Sequence, residues 1–122
     1  MSKPAAGSLE LARSFLGREV VVLIDRPLGS CHPQYPEIVY RVNYGYIPGT
    51  LAPDGEPLDA YVLGIGEAVE CALGVCVAVL HRRDDSEAKL VVVAGGANLP
   101  DEDIMRQIEF QERYFDVAIV RT

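Results

Sequence analysis

Long hydrophobic runs are missing from this 122-residue chain, because its longest, around Cys71–Leu80, is short and interrupted by Gly74. The first residues also lack the charged start, apolar middle and small-residue cleavage site of a signal peptide. We therefore expect a cytoplasmic protein. Basic residues are few, 11 Lys and Arg against 18 Asp and Glu, for a net charge of −7. Since nucleic acids and anionic membranes are held mainly through Lys and Arg, we expect neither as a partner.

Several motifs of other protein classes are missing too. No GxGxxG or GxxxxGK[ST] loop is present, and the chain shows no strand–helix alternation of a Rossmann-type sheet. Three cysteines without CxxC spacing argue for reduced thiols, and we expect Cys71 and Cys76 to be small core residues. The alternative is a zinc site drawn from the cysteines, Cys31 included, together with His32 and His81, although no pair has the usual finger spacing.

What the sequence does contain is a series of short segments rich in Val, Ile and Tyr, which favour extended structure. They predict strands at residues 19–25, 38–46, 60–63, 72–80 and 89–94, with 116–120 closing the sheet. Ser8 is a suitable cap for a first helix that ends at Gly17, behind a loose tail of residues 1–7. Pro100 opens a second helix, with Asp101 to Asp103 at its positive end.

This length and order of elements indicate a single domain, residues 1–122, of the α+β class and mostly β. Five or six short strands with a helix near each end predict a small β-barrel or strongly curved sheet, with the helices packed outside it.

Acidic residues are concentrated in two loops. The first contains Asp54, Glu56 and Asp59, which lie within six residues around a Pro-Asp-Gly turn. Carboxylates brought together repel one another unless a cation or proton lies between them, and Mg²⁺ prefers such oxygen ligands. The alternative is a solvated turn that is acidic by chance.

The second acidic loop contains Asp84, Asp85 and Glu87. By itself it is typical of a solvated hairpin tip. Both loops lie next to strand ends, however, and a barrel brings alternate strand ends together. We therefore expect the two loops to face one cavity.

One long segment resembles a known family. The run NYGYIPGTL (residues 43–51), followed by DGEPLD (54–59), resembles the signature of the soluble, magnesium-dependent inorganic pyrophosphatases, close to YPVNYGYIPGT and DGDPxDxxV. Two shorter segments, SEAKL (86–90) and ERYF (112–115), resemble later family segments in the same order. The resemblance implies a five-stranded, OB-like β-barrel with flanking helices and assembly into a homo-oligomer.

The resemblance also implies roles for individual residues. In this family a magnesium-activated water attacks one phosphorus of pyrophosphate in line. The implied Mg²⁺ ligands are Asp54, Glu56, Asp59, Asp84 or Asp85, and Glu87. The implied phosphate site is lined by Tyr40, Tyr44, Lys89 and Tyr114, and the implied catalytic residues are Glu56 as general base, Tyr44 and Lys89.

The chain departs from the family pattern at several positions. Glu56 and Glu87 stand where aspartates are usual, so each carboxylate reaches one methylene further. Phe115 stands where a phosphate-binding lysine is expected, and Arg82 falls at the first aspartate of the second loop. The family's N-terminal lysine and glutamate have no equivalent.

Substitute positive charge is present in an inserted loop, RPLGSCHP (residues 26–33), where Arg26 and His32 are candidate phosphate ligands. A proline-rich connector is the alternative. Three functions stay open: a pyrophosphatase of a short, divergent subgroup; a metal-dependent hydrolase of another phosphoanhydride or phosphoester; and a catalytically weak protein that binds a phosphorylated metabolite.

Overall fold

The computed structural model describes residues 4–51 and 55–122. Within these ranges the chain forms two α-helices, six strands and one turn of 3₁₀-helix. The elements in chain order are α1 (Pro4–Arg13), β1 (Glu19–Arg26), β2 (Asn43–Tyr46), β3 (Asp59–Leu63), β4 (Cys71–Arg82), β5 (Glu87–Val93), the 3₁₀ turn (Ala94–Gly96), α2 (Asp101–Glu112) and β6 (Val117–Val120).

Five of the strands pair in a ring. The order is β1-β2-β3-β5-β4, and β4 pairs in turn with β1. All of these pairings are antiparallel except β3 with β5, which is parallel. β6 pairs with the far end of β4, outside the ring. The prediction of a mostly β fold with two helices is confirmed, although β6 extends the ring and does not close it.

The two parallel strands are buried on both faces. In β3, Ala60 and Val62 belong to one apolar cluster, which includes Ala12 of α1. The alternate residue Tyr61 belongs to a second cluster, which includes Ile104 of α2. Strands covered on both faces read as continuous apolar runs, and this is why residues 60–63 and 90–93 carry so little polarity.

The first helix differs from the prediction. It begins at Pro4, so residues 4–7 are its first turn rather than part of a tail, and Ser8 lies inside the helix instead of capping it. Proline is favoured in the first turn of a helix because its missing N–H has no partner there anyway. The cysteines also differ in part, since Cys76 is buried but Cys71 is exposed. No helix in the described ranges has the length and apolar character needed to span a bilayer.

Gly45 allows β1 and β2 to approach closely at an irregular point. The pairing steps from Ile24 with Gly45 to Arg26 with Tyr44, so Asp25 is an extra residue on β1. A Cβ on Gly45 would lie 1.8 Å from the carbonyl oxygen of Leu23. Bulges of this kind redirect side chains, and here the bulge positions both Asp25 and Arg26.

We expect Gly45→Ala to destabilise the fold by about 3 kcal/mol or more, because the strands must separate to admit the methyl group. Urea unfolding measures this change. Gly66→Ala is the matched control, since a Cβ there meets nothing within 4 Å, and its effect should stay within about 1 kcal/mol. Equal stabilities for the two variants would contradict the close approach.

Candidate active site

The parallel pairing of β3 and β5 brings charged residues together at the starts of both strands. Asp59 of β3 is in register with Lys89 of β5. Glu87 begins β5 and is in register with Arg82 at the end of β4. Residues from three separate parts of the sequence therefore meet at one end of the ring.

A cavity of about 540 Å³ opens at this point, and we call it the aromatic cavity. Its charged lining comes from β1, β3, β4, β5 and the loop after β1, and its rings come mainly from that loop and the segment after α2. The lining residues are Arg26, His32, Tyr35, Glu37, Ile38, Tyr44, Asp59, Arg82, Glu87, Lys89, Gln111, Tyr114 and Phe115.

A second cavity, of about 400 Å³, adjoins the first, and we call it the acidic cavity. Among the residues that the structure describes, four carboxylates line it, from Asp25, Glu56, Asp59 and Glu87, together with one cation, Arg26. Three residues, Arg26, Asp59 and Glu87, line both cavities and so form the wall between them. Among the described residues, the acidic cavity thus has an excess of carboxylates. The aromatic cavity combines three cations, Arg26, Arg82 and Lys89, with three carboxylates and several rings.

Asp59 is the carboxylate at the centre of this arrangement. Its Oδ2 accepts a hydrogen bond of 3.0 Å from the hydroxyl of Tyr44. Burial raises the pKa of Asp59, and the nearby carboxylates of Glu87 and Asp25 add to the rise, against the opposing effects of Lys89 and Tyr44. Repulsion between carboxylates of this kind is relieved by a bound cation.

Tyr44 serves this carboxylate as a donor. Burial, with the charge of Asp59, raises the pKa of the Tyr44 hydroxyl well above its usual range, so the proton stays on the phenol. The tyrosine therefore orients Asp59 and does not act as a base.

Lys89 lines the aromatic cavity, and a buried carboxylate holds its ammonium group in place. Its Nζ donates a 2.8 Å hydrogen bond to Oε2 of Glu112, which is fully buried. The ammonium also lies 5.1 Å and 5.4 Å from the ring centres of Tyr44 and Tyr61. Because Lys89 is only 3% exposed, its charge is fixed in position before any ligand arrives.

A continuous hydrogen-bond network runs behind the cavity from Lys89 to Arg26. Tyr61 donates to Oε2 of Glu112, and the side-chain amide of Gln111 donates to the hydroxyl of Tyr61 at 2.6 Å. Tyr40 in turn donates to Gln111 and accepts from Nη1 of Arg26. Two of the three described cations that line the cavity, Lys89 and Arg26, are therefore linked to one another through buried polar groups.

This network changes the role expected for Tyr40. Tyr40 is 1% exposed and lines neither cavity, and its hydroxyl accepts a hydrogen bond from Arg26, which does line them. Tyr44, Lys89, Tyr114, Arg26 and His32, the other residues expected to bind phosphate, all line the aromatic cavity.

His32 belongs to the inserted loop, which folds back over the cavity. The backbone N–H groups of Gln34 and Tyr35 donate to its Nδ1 at 3.0 and 3.3 Å, which requires the neutral ring. Burial lowers the pKa of His32, and the charges of Arg26 and Lys89 lower it further.

We expect an NMR titration of His32 to give a midpoint below 6.5, the ordinary pKa of histidine. Since the folded pKa is lowered, the contribution of His32 to stability is present above pH 6.5 and is lost as the pH falls through the folded value. Arg26→Gln should move the midpoint part of the way back up. A midpoint at or above 6.5 in the wild-type chain would contradict this environment.

The second acidic loop does not reach the cavities as a whole. β4 continues to Arg82 and β5 begins at Glu87, so residues 83–86 form a tight turn at the tip of the hairpin. Asp84 accepts the backbone N–H of Asp116 at 3.0 Å, and Asp85 accepts that of Glu87 at 3.2 Å. Neither Asp84 nor Asp85 lines either cavity; the Asp85 bond lies within the hairpin tip, and the Asp84 bond joins the tip to the segment before β6.

The remaining expected ligands divide into three cases. Glu56 and Asp59 line the acidic cavity together. Glu87 lines both cavities, but Nη2 of Arg82 donates a hydrogen bond to its Oε1. Asp54 lies outside the described residues.

The lining of the acidic cavity has the donor chemistry of a site for a hard divalent cation. In the described lining the carboxylates outnumber the one cation, Arg26, and burial raises the pKa of Asp59. Across residues 4–51 and 55–122, no three His, Cys, Asp or Glu side chains converge as they stand into a group that could hold a metal. A cation would therefore draw the carboxylates of Asp59 and Glu56 together.

Sequence reasoning missed several residues of the site, chiefly Asp25, Tyr61, Gln111 and Glu112. One signal was available, because Glu112 continues the buried stripe of Ile104 and Ile108 at four-residue spacing. A carboxylate on the apolar face of a helix requires a buried partner, and Lys89 is that partner.

Comparison with known proteins finds similarity to inorganic pyrophosphatases. The family model described as inorganic pyrophosphatase matches residues 21–116. An inorganic pyrophosphatase of Saccharolobus solfataricus is 34% identical over 88 residues, which are 68% of this chain and 46% of that protein. For an inorganic pyrophosphatase of Aeropyrum pernix the identity is 40% over 76 residues, or 61% of this chain and 40% of that one.

The fold has counterparts among solved structures. A crystal structure of inorganic pyrophosphatase from Ehrlichia chaffeensis superposes with a TM-score of 0.61 at 21% identity, covering 84% of each chain. At that identity the likeness concerns the fold. The chain spans less than half the length of the two curated relatives above.

Proposed function

The chain belongs to the inorganic pyrophosphatase family, and on that premise we propose that it hydrolyses inorganic pyrophosphate to two phosphates with Mg²⁺ as cofactor. One observation carries the proposal. Asp59 lies in the wall between a cavity lined by four carboxylates and a cavity lined by Arg26, Arg82 and Lys89. A cation on the first side and a diphosphate on the second would meet at this carboxylate.

Mg²⁺ would be held by Asp59 and Glu56, and we include Asp54 from its position in the motif. When bound, the cation would neutralise negative charge on the phosphates and would lower the pKa of a bound water molecule. Glu56 is the group we assign to accept the proton of the attacking water. Tyr44 keeps Asp59 oriented through its hydroxyl.

The phosphate groups would be held on the aromatic side. Lys89 and Arg26 offer fixed positive charge there, and Tyr114 contributes to the lining. Because the buried network anchors both cations, they need no rearrangement as charge develops on the leaving phosphate. We regard the ring of strands that positions them as the OB-like barrel of the family. We also propose that the protein is cytoplasmic and homo-oligomeric. Sedimentation measures its assembly state.

A phosphate-release assay with pyrophosphate tests the proposal. We expect release that depends on millimolar Mg²⁺ and stops when the metal is chelated. Release that is indifferent to the chelator would contradict the role of Mg²⁺.

The size of the aromatic cavity favours a second candidate, a phosphoanhydride or phosphoester with an organic group. The cavity holds about 540 Å³, and Tyr35 and Tyr114, both in its lining, are 53% and 56% exposed. Exposed rings at a cavity mouth are suited to stacking on an organic group. Nucleoside di- and triphosphates and simple phosphate esters therefore belong in the same assay. Faster release from one of these would assign the site to the larger substrate, and binding without release would indicate a metabolite-binding protein.

A further inference from the structure

Arg82 and Phe115 form a stacked pair in the wall of the aromatic cavity. The guanidinium carbon of Arg82 lies 3.8 Å from the ring centre of Phe115, and both residues line the cavity. They come from distant segments of the chain, since Arg82 ends β4 and Phe115 follows α2. A guanidinium stacked on a ring keeps its N–H donors in its own plane, where they can still bind an anion.

Carboxylates hold the same guanidinium from the side. Nη2 of Arg82 donates to Glu87, its partner in the β4–β5 register, and Nε lies 3.5 Å from the carboxylate of Asp85. Burial opposes the charge of Arg82, but these carboxylates and that of Glu112 keep its pKa above the usual value. The side chain is therefore fixed and charged.

One donor of this fixed group has no hydrogen bond. Nε of Arg82 is buried and makes none within the described residues; it lies 3.5 Å from the carboxylate of Asp85, which lines neither cavity. The support for a ligand comes instead from the position of the guanidinium, which lines the aromatic cavity while stacked on Phe115. Arginine binds phosphate oxygens with a planar fork of donors, so an anion in this cavity is a suitable ligand for Arg82.

We propose that Arg82, stacked on Phe115, is a phosphate-binding residue of the aromatic cavity, and that it replaces a divalent cation as the charge partner of Glu87. The inference rests on the proposed function in taking phosphate as the ligand of this cavity. It confines Mg²⁺ to the acidic side, at Asp59 and Glu56. It also places a cation beside Phe115, which stands where the family pattern has a lysine.

Two binding measurements on Arg82→Gln test the proposal, with inorganic phosphate and Mg²⁺ titrated separately by calorimetry. We expect the dissociation constant for phosphate to rise roughly tenfold or more, because a charge-assisted contact is lost. The dissociation constant for Mg²⁺ should fall, because Glu87 loses its partner and becomes available to the metal. General damage to the fold would weaken both, so the opposite directions are diagnostic.

Arg83→Gln is the matched control. Arg83 is the next residue and also forms an ion pair, at 2.7 Å with Asp116, but it is half exposed and lines neither cavity. We expect both affinities to stay within about twofold of the wild type in this variant.

Two further variants keep the test decisive if Arg82→Gln fails to fold. Arg82→Lys retains the charge without the planar fork, so phosphate binding should be intermediate and Mg²⁺ binding unchanged. Phe115→Leu removes the ring that holds the guanidinium and should weaken phosphate binding while Mg²⁺ binding stays the same.

The proposal is overturned if the wild-type chain binds no phosphate, or if Arg82→Gln leaves phosphate binding unchanged or weakens Mg²⁺ binding. The fate of the proposed function is read separately from phosphate release. A wild-type chain that binds phosphate through Arg82 but does not cleave pyrophosphate would refute the function and leave the inference standing. If the wild-type chain cleaves pyrophosphate but Arg82→Gln binds phosphate as the wild type does, the proposed function stands and the inference about Arg82 is refuted.

Discussion

Asp59→Asn should lower the rate of pyrophosphate hydrolysis by at least about a hundredfold, a loss of roughly 3 kcal/mol in transition-state stabilisation. The change keeps the size of the side chain and one oxygen for the hydroxyl of Tyr44, but it removes the charge from the wall between the two cavities. A neutral amide is a poor ligand for Mg²⁺, so the Mg²⁺ concentration needed for half-maximal activity should rise as well.

The same variant should be more stable than the wild type when metal is absent. Burial raises the pKa of Asp59, so its contribution to stability is present below its ordinary pKa of 3.8 and is lost as the pH rises through the folded value. At neutral pH the wild-type carboxylate is therefore a cost that the amide removes. Thermal unfolding without metal at pH 7 measures the gain, and adding Mg²⁺ should stabilise only the wild type.

Asp103→Asn is the control for both readings. Asp103 lies in the first turn of α2, where it pairs with Arg106 at 2.8 Å on the surface. Its loss should leave hydrolysis and the response to Mg²⁺ unchanged. Comparable activity in the Asp59 and Asp103 variants would remove Asp59 from the centre of the mechanism.

Glu112→Ala should destabilise the protein by about 3–5 kcal/mol, the usual cost of breaking a buried ion pair from one side. The substitution leaves the ammonium of Lys89 buried without its counter-charge and leaves the hydroxyl of Tyr61 without its acceptor. Urea denaturation measures the loss. Glu109→Ala, on the exposed face of the same helix, should stay within about 0.5 kcal/mol of the wild type.

A double variant separates the structural from the functional role of this pair. Lys89→Met combined with Glu112→Leu removes both charges, and apolar replacements of buried pairs are often neutral or stabilising. We expect most of the lost stability to return while phosphate binding and hydrolysis stay low. This result would mean that the pair is kept for the chemistry of the cavity. Recovery of activity along with stability would contradict that role for Lys89.

Individual strands and helices were predictable because the residues that determine them are neighbours in the sequence. The β-branched run of β1 and the residues of β3 gave strands whose ends differ from the prediction by one residue. Pro100 and the acidic turn after it likewise placed the start of α2. The spacing of apolar residues and the residues that cap a helix are both local features of the sequence. A single sequence is therefore enough to predict these elements.

Long-range pairing was not predictable in the same way. The parallel pairing of β3 with β5 joins segments about thirty residues apart, and it is this pairing that places Asp59 beside Lys89. The apolar residues of both strands fit several sheet orders equally well. The motif indicated which residues belong to the site, but only the topology brings them together.

The bounds predicted for the second acidic loop differ from those in the structure. The sequence placed a loop over residues 82–88, whereas the hairpin continues to Arg82 and resumes at Glu87. Asp84 and Asp85 are consequently carried to the tip, and only Glu87 reaches the cavities. Arg82 was recognised as a departure from the family pattern, but its stacking on Phe115 depends on how α2 packs.

The meeting of a divalent cation and a phosphate at Asp59 is tested most directly by diffraction from crystals grown with Mn²⁺ and phosphate. We predict an anomalous peak at ligating distance from the Asp59 carboxylate, on the side of Glu56, with phosphate density on the side of Lys89. A peak only elsewhere, or none in crystals where phosphate occupies the aromatic cavity, would contradict the account.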